Sequence, residues 1–364
     1  MPDGGCDTVT RPVVAGLPKD TASITAAWLT KVLQQDYPGT VVTSLYLGTI
    51  IPGTATKVRL LLSYNEAGHA HCLPPTMWLK GGFIRHDFTY DESFVWEAKF
   101  FKNWAPSVEI NIPKAFWADW DEGEQGLVLL EDLAARNVSF GLATKPMTLD
   151  QQAGALDILA CLHARWWNSA QLAPLRSFST VWDAADRVVM MMLEKDYFDR
   201  CMAMDRCKEI TGPYRDRERV EAGLRMQWKR SLEIAQCFSH GDPHLGNMYF
   251  ETDGTPGFLD WQGWQSGPYM HDVAYSIIGG LDVAERRLHE RDLLEHYRQR
   301  LVANGVKDAP PADEVWEAYR RHAMHGFMWA FTPTEMQPEE VCVAEGHRFG
   351  VAVRDLDTFG ALGV

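Results

Sequence analysis

Between residues 239 and 262 the chain reads Ser239-His240-Gly241-Asp242-Pro243-His244-Leu245-Gly246-Asn247-Met248-Tyr249-Phe250. Past a Thr-Asp-Gly-Thr turn it continues Gly257-Phe258-Leu259-Asp260-Trp261-Gln262. A His-x-Asp-x-x-x-x-Asn spacing with a second Asp on the next strand is what phosphoryl transfer requires. The acceptor hydroxyl must lie in line with the phosphorus and lose its proton, which an Asp can accept. A hard cation such as Mg2+ must neutralise the triphosphate, and it takes oxygen ligands such as an amide and a carboxylate. This assigns Asp242 as the base and Asn247 and Asp260 as metal ligands, with His240 bracing the loop. A loop Asp near an Asn also forms turns. The apolar flanks Met248-Tyr249-Phe250 and Phe258-Leu259 favour chemistry, because they build a short hairpin that delivers Asn247 and Asp260 to the same end.

Two other classes remain open at this point. His240, Asp242, His244 and Asp260 form an H-x-D-x-H string plus a carboxylate, which a metal-dependent hydrolase could use. That reading leaves Asn247 without a role and predicts activity without nucleotide. The other is a catalytically silent binding protein, disfavoured because the groups lost first in such proteins are all present. His244 either reaches substrate or packs within the loop.

The elements that position these residues fall into two halves. A first amphipathic helix is expected over 23–35 after a loose arm at 1–20. Strands follow at 41–50, 57–64 and 77–80, then a helix over 91–104, then strands near 114–118 and 127–130. This makes a small α+β domain, residues 1–133. Residues 134–364 read as mostly helical, with helices at 148–168, 180–199, 216–236, 270–281, 283–304, 313–331 and 338–355. The exception is 237–260, a loop with two short strands. The segment 131–145 is the expected hinge.

Composition narrows the partners. A formal charge of −14 argues against nucleic acid, whose phosphates are bound by basic stripes absent here. Seven Cys with no C-x-x-C pair point to reduced thiols in a cytoplasmic setting, not to a disulfide framework or a zinc site. No basic leader precedes an apolar run, and no apolar run is long enough to span a bilayer.

The loop resembles the Brenner-type motif of the aminoglycoside phosphotransferase and choline kinase superfamily. With Leu129-Leu130-Glu131-Asp132-Leu133, Leu162-His163-Ala164-Arg165-Trp166-Trp167 and Asp260-Trp261-Gln262, it is closest to the ecdysteroid-kinase-like branch. The resemblance runs from about residue 40 to 330. It implies a two-lobed, protein-kinase-like α+β fold with ATP and Mg2+ in the cleft. It also implies transfer of the γ-phosphoryl group to a hydroxyl of a small molecule, whether an antibiotic, a sterol or polyketide alcohol, or a choline-like compound. By the same resemblance Lys80 contacts the α/β-phosphates and Glu97 pairs with it, with Glu92 as the alternative. Gly48, Gly53 and Thr54 belong to the turn over the nucleotide, in which only two of the usual glycines occur. Leu130, Glu131 and Leu133 line the adenine-receiving hinge, and Asp272 holds the catalytic loop by accepting backbone hydrogen bonds. Trp264, His325, Trp329 and Phe331 are candidates for the acceptor wall, each equally able to be core. Several aromatics there would favour a bulky hydrophobic alcohol over a cationic aminosugar. Acidic side chains in that wall would reverse the preference.

Overall fold

A computed structural model describes residues 16–84, 93–179 and 188–364. The expected arm up to residue 15, the alternative Glu92 and the start of the helix expected at 180 lie outside the described residues.

Five antiparallel strands form the first half: β1 (Val42–Ile51), β2 (Thr56–Tyr64), β3 (Thr76–Gly81), β4 (Ala115–Asp121) and β5 (Gln125–Glu131), ordered β1-β2-β3-β5-β4. Alternation gives this sheet two distinct faces. Val58, Leu60 and Leu62 of β2, Met77 and Leu79 of β3, and Leu127 and Leu129 of β5 point to one side. There they meet Trp28, Leu29, Val32 and Leu33 of helix α1 (Ala26–Leu33). Thr25 caps that helix by accepting from the Trp28 amide. A short helix α2 (Glu66–Ala70) occupies a segment that reads as a turn-rich linker in the sequence, and Asn65 caps it. On the other face, Lys57 of β2 lies opposite Lys80 of β3, and Arg59 lies opposite Trp78. Helix α3 (Ser93–Asn103) packs on β4 and β5 and carries Glu97 inward.

β5 runs into a 3-10 turn (Leu133–Arg136) and a two-residue strand β6 (Ser139–Phe140), which pairs with a strand of the second half. That half is built on α4 (Leu149–Arg165), started by a capping box between Thr148 and Gln151. α5 (Lys195–Met202) and α6 (Arg217–Ser231) follow, then α7 (Tyr269–Gly280), α8 (Val283–Ala303), α9 (Ala312–Phe327), α10 (Glu339–Asp355) and α11 (Thr358–Leu362). α7 is buried along its whole length and is packed by α4, α9 and α10. The helix expected through 331 ends at Phe327 and continues as a 3-10 turn, Met328–Phe331. The helix expected through 236 ends at Ser231, because Gln236 already starts a strand.

Four short strands interrupt the helices: β7 (Gln236–Ser239), β8 (Met248–Phe250), β9 (Pro256–Phe258) and β10 (Gln265–Pro268). β8 and β9 make the expected hairpin, closed by a Glu251–Thr255 hydrogen bond with Gly254 at positive φ. β10, not anticipated from sequence, pairs with β7 and ties the two ends of the 239–265 segment together. The architecture is the expected mixed α+β arrangement: a sheet-bearing first half and a helical second half.

Candidate active site

The loop from Ser239 to Asn247 is held from beneath by one carboxylate. Asp272, near the start of the buried helix α7, accepts hydrogen bonds from Ser239 Oγ (2.7 Å), the His240 amide (2.7 Å) and the Gly241 amide (3.0 Å). His163 of α4 adds its Nε2 at 3.1 Å, while its Nδ1 lies 2.7 Å from the Tyr297 hydroxyl. Because a carboxylate only accepts, His163 donates to Asp272 from Nε2, while its Nδ1 is paired with the Tyr297 hydroxyl. Burial alone would raise the Asp272 carboxyl. The His163 hydrogen bond and the nearby imidazoles outweigh it and hold the group far below the ordinary carboxylate range. Asp272 thus has the loop-holding geometry expected of it.

Gly241 is required by geometry. Its φ is +84°, and an added Cβ would lie 2.1 Å from the Gly263 carbonyl oxygen. His240 is fully buried, and desolvation pushes its imidazole below the ordinary value, so it is neutral. Its Nδ1 accepts from the Asp242 amide at 3.2 Å, so Nε2 carries the hydrogen and donates to the Leu259 carbonyl at 2.9 Å. Both ring nitrogens are used in bracing the loop, and neither is left to ligate a metal. His244 Nδ1 likewise accepts from the Gly246 amide. Among the described residues no three His, Cys, Asp or Glu side chains gather as a metal site would require. The donor set therefore does not fit the hydrolase reading.

Asp242 is partly exposed, with 42% of its side chain accessible. Asn247 Nδ2 donates to both the Asp242 carbonyl and its Oδ2, each at 3.0 Å. This orients the amide so that its oxygen points away from Asp242. The Asn247 carbonyl accepts from the Leu259 amide at 2.7 Å, which couples the loop to the residue before Asp260. Asp260 has φ +56°, a left-handed conformation uncommon for a residue other than glycine. The turn brings its Oδ1 to 2.9 Å from Lys80 Nζ. Lys80 is 5% exposed and also meets Glu97 Oε1 at 2.9 Å and Oε2 at 2.8 Å. Desolvation would lower the Lys80 ammonium, but Asp260 and Glu97 overcome it and hold it above the ordinary value. Glu97 Oε1 further accepts the Trp261 amide at 3.2 Å. One ammonium thus joins the sheet, α3 and the end of the hairpin. Asn247 and Asp260 offer an amide oxygen and a carboxylate, the hard donors that suit Mg2+.

On the sheet side the expected residues are more loosely organised. Gly48 lies within β1 at a register irregularity between Leu47 and Ile50, and an added Cβ would come 2.8 Å from Leu61. Gly53 and Thr54 sit in the exposed turn between β1 and β2. Leu130 pairs with Trp78 across β3 and β5. The Glu131 carboxylate receives the Lys114 amide at 2.8 Å, and Leu133 is buried at the start of the 3-10 turn. Asp132, quoted in the hinge segment but given no role from sequence, accepts from Trp78 Nε1 at 3.1 Å and Arg59 Nε at 2.8 Å. It fixes an indole two residues before Lys80.

The four acceptor-wall candidates separate into two pairs. Trp264 stacks on Phe238 with ring centroids 5.3 Å apart and donates to the Trp96 carbonyl. Phe331 stacks on Phe198 at 5.1 Å. Both are packed core residues. His325 and Trp329 instead lead back to the loop: Trp329 is hydrogen-bonded to His325, whose ring lies 5.0 Å from Tyr275, itself 6.0 Å from His244. Glu345 of α10 is buried and bonded to Gln337 at 2.8 Å; burial first, and the nearby Asp242 in the same sense, raise its carboxyl above the ordinary value. No sequence signal distinguishes Glu345 from the other helical acids.

The ecdysteroid kinase-like family matches residues 88–307, more than half of the chain. By sequence, no curated protein matches. Among solved structures, a spectinomycin phosphotransferase in complex with ADP and spectinomycin is 12% identical, with 92% of this chain and 99% of that chain covered and a TM-score of 0.49. A choline kinase from Streptococcus pneumoniae is 13% identical over 87% of this chain and 94% of that chain, TM-score 0.47. A Plasmodium vivax ethanolamine kinase is 10% identical over 86% and 83%, TM-score 0.48. The chain belongs to the ecdysteroid kinase-like family.

Proposed function

We propose that the protein transfers the γ-phosphoryl group of ATP to a hydroxyl of a small molecule. One observation carries the proposal: Lys80 bridges Glu97 and Asp260 beside a loop that presents Asp242, oriented by Asn247. In the reaction the acceptor oxygen forms a bond to the γ-phosphorus as the bond to the ADP oxygen breaks. Asp242 takes the hydroxyl proton and holds the oxygen in line. Lys80 supplies fixed positive charge toward the phosphates, and its two carboxylate partners keep it from swinging away. Asn247 and Asp260 would hold Mg2+, which when bound neutralises charge on the triphosphate. Trp78, locked by Asp132, offers an indole face near the hinge residues Leu130, Glu131 and Leu133 where the base would rest.

The acceptor would lie on the Asp242 side, where Tyr275 meets His244 and Glu345 lies nearby, with His325 and Trp329 behind Tyr275. The presence of Glu345, with Trp264 and Phe331 taken into the core, supports an acceptor carrying a polar or basic group near the reacting hydroxyl. It weighs against a purely apolar alcohol. The charge of −14 supports a small-molecule partner over nucleic acid. No described helix is long and apolar enough to cross a membrane.

The test is a screen of purified protein with γ-labelled ATP against hydroxylated metabolites and antibiotics, sorted into amine-bearing and apolar sets. Label should move to at least one acceptor, preferentially among the amine-bearing set. Label released at equal rates with no acceptor, or with ATP absent from the requirement, would overturn the proposal.

A further inference from the structure

Lys57 is a second lysine at the same site, and its place follows from the register of the sheet. It is the direct partner of Lys80 across β2 and β3. Directly opposed residues of an antiparallel pair share a face, and like charges in that position repel. The Lys80 ammonium is answered by two carboxylates, Glu97 at 2.8 Å and Asp260 at 2.9 Å. Lys57 is half-buried, and its ammonium makes no hydrogen bond or ion pair with the described residues. Desolvation first, and Lys80 second, push its ammonium below the ordinary lysine value, while Asp260 and Glu97 act in the opposite sense at longer range. The strand pair therefore keeps a charge that is disfavoured until an anion arrives.

Lys80 directs donors to Glu97 at 2.8 Å and Asp260 at 2.9 Å, whereas the Lys57 ammonium has its donors left to give. We infer that Lys57 is a direct cationic contact to the phosphates of the nucleotide, beside Lys80. In this division Lys80 is the cation held rigid by its partners, and Lys57 adds a second ammonium beside it. The inference rests on the nucleotide-dependent reading of the site.

The experiment measures binding of ATP, ADP and adenosine by calorimetry to the wild type, Lys57→Met and Lys57→Arg, with the melting temperature of each free protein. Lys57→Met should weaken ATP and ADP by about tenfold, the size of one charge-assisted contact. It should leave adenosine binding unchanged and leave the free protein as stable as wild type or more so, since an unpaired half-buried charge has gone. Lys57→Arg should restore most of the affinity. In turnover assays the KM for ATP should rise more than kcat falls. ATP and ADP binding equal to wild type in Lys57→Met would overturn the inference while sparing the proposed function. Equal loss of adenosine binding, or a destabilised free protein, would reassign Lys57 to a structural role and also overturn it. Wild-type protein that binds neither ATP nor ADP would sink both.

Discussion

The loop from Ser239 to Asn247 and the turn between β1 and β2 would, in the proposed reading, flank the same nucleotide, yet they are built in opposite ways. The loop is over-determined: Asp272 collects four donors, His240 uses both ring nitrogens on backbone groups, and Asn247 is fixed by two bonds to Asp242. The turn at Gly53 and Thr54 is exposed, and β1 carries accessible Tyr46, Ile50 and Ile51 at the sheet edge. Chemistry needs atoms held within a fraction of an ångström, whereas a cover over the phosphates must admit and release a ligand. Rigidity belongs to one side and access to the other.

Breaking the rigid side should have the largest effect. Asp272→Ala leaves two amides, a hydroxyl and an imidazole buried without their acceptor, a loss of about 3–5 kcal/mol in chemical denaturation. Gly241→Ala should approach this cost, because its positive φ and the Gly263 carbonyl both oppose a side chain. If either variant unfolds at the wild-type denaturant concentration, the loop is not held as described. Next in size is Lys80→Met, which strips Glu97 and Asp260 of their shared cation. The loss in kcat/KM should be about 10²–10³-fold, the scale of a removed electrostatic stabiliser. A kcat/KM within about threefold of wild type would contradict that assignment.

Acid should weaken the helical half through its buried histidines. Burial lowers His240, His325 and His322, the last to about 3. Unfolded histidine titrates near 6.5, so below that pH the unfolded chain binds more protons than the folded one. The stability is fully present above about pH 6.5 and is lost as pH falls. Replacing His322 by Gln should reduce the pH slope of stability between pH 6 and 4 by up to about 1.4 kcal/mol per pH unit. An unchanged slope would show that His322 takes up a proton in the fold. The smallest effect belongs to the open side: Gly53→Ala, with no positive φ and its nearest atom 3.4 Å away, should change stability by less than about 0.5 kcal/mol. A larger loss would mean that the turn is a structural element and not a compliant cover.

The same contrast explains what could be read in the sequence. Asp242, Asn247 and the hairpin to Asp260 are close in the chain, so spacing and flanking apolar residues sufficed to place them together. Lys80 and Glu97 were reachable through family resemblance and do pair with each other; the contact of Lys80 with Asp260 was not anticipated. Lys57 was passed over, although it lies on a strand read correctly, because only the β2–β3 register sets it opposite Lys80. His163 was quoted as part of a motif, but its contact with Asp272 spans 109 residues. Trp264 and Phe331 looked like pocket residues for the reason that any large aromatic does. Their stacking on Phe238 and Phe198 depends on tertiary packing that composition cannot carry. Glu345 is invisible for the complementary reason: an acid on an amphipathic helix reads as solvent-facing until the fold buries it.

The most direct test of the account compares Asp242→Asn with wild type in one experiment, reading ATP affinity and the rate of phosphoryl transfer to an identified acceptor. The account predicts ATP binding within about threefold of wild type and a transfer rate lower by about 10²–10⁴-fold. Transfer at the wild-type rate would contradict the role given to Asp242, and with it the chemistry assigned to the loop.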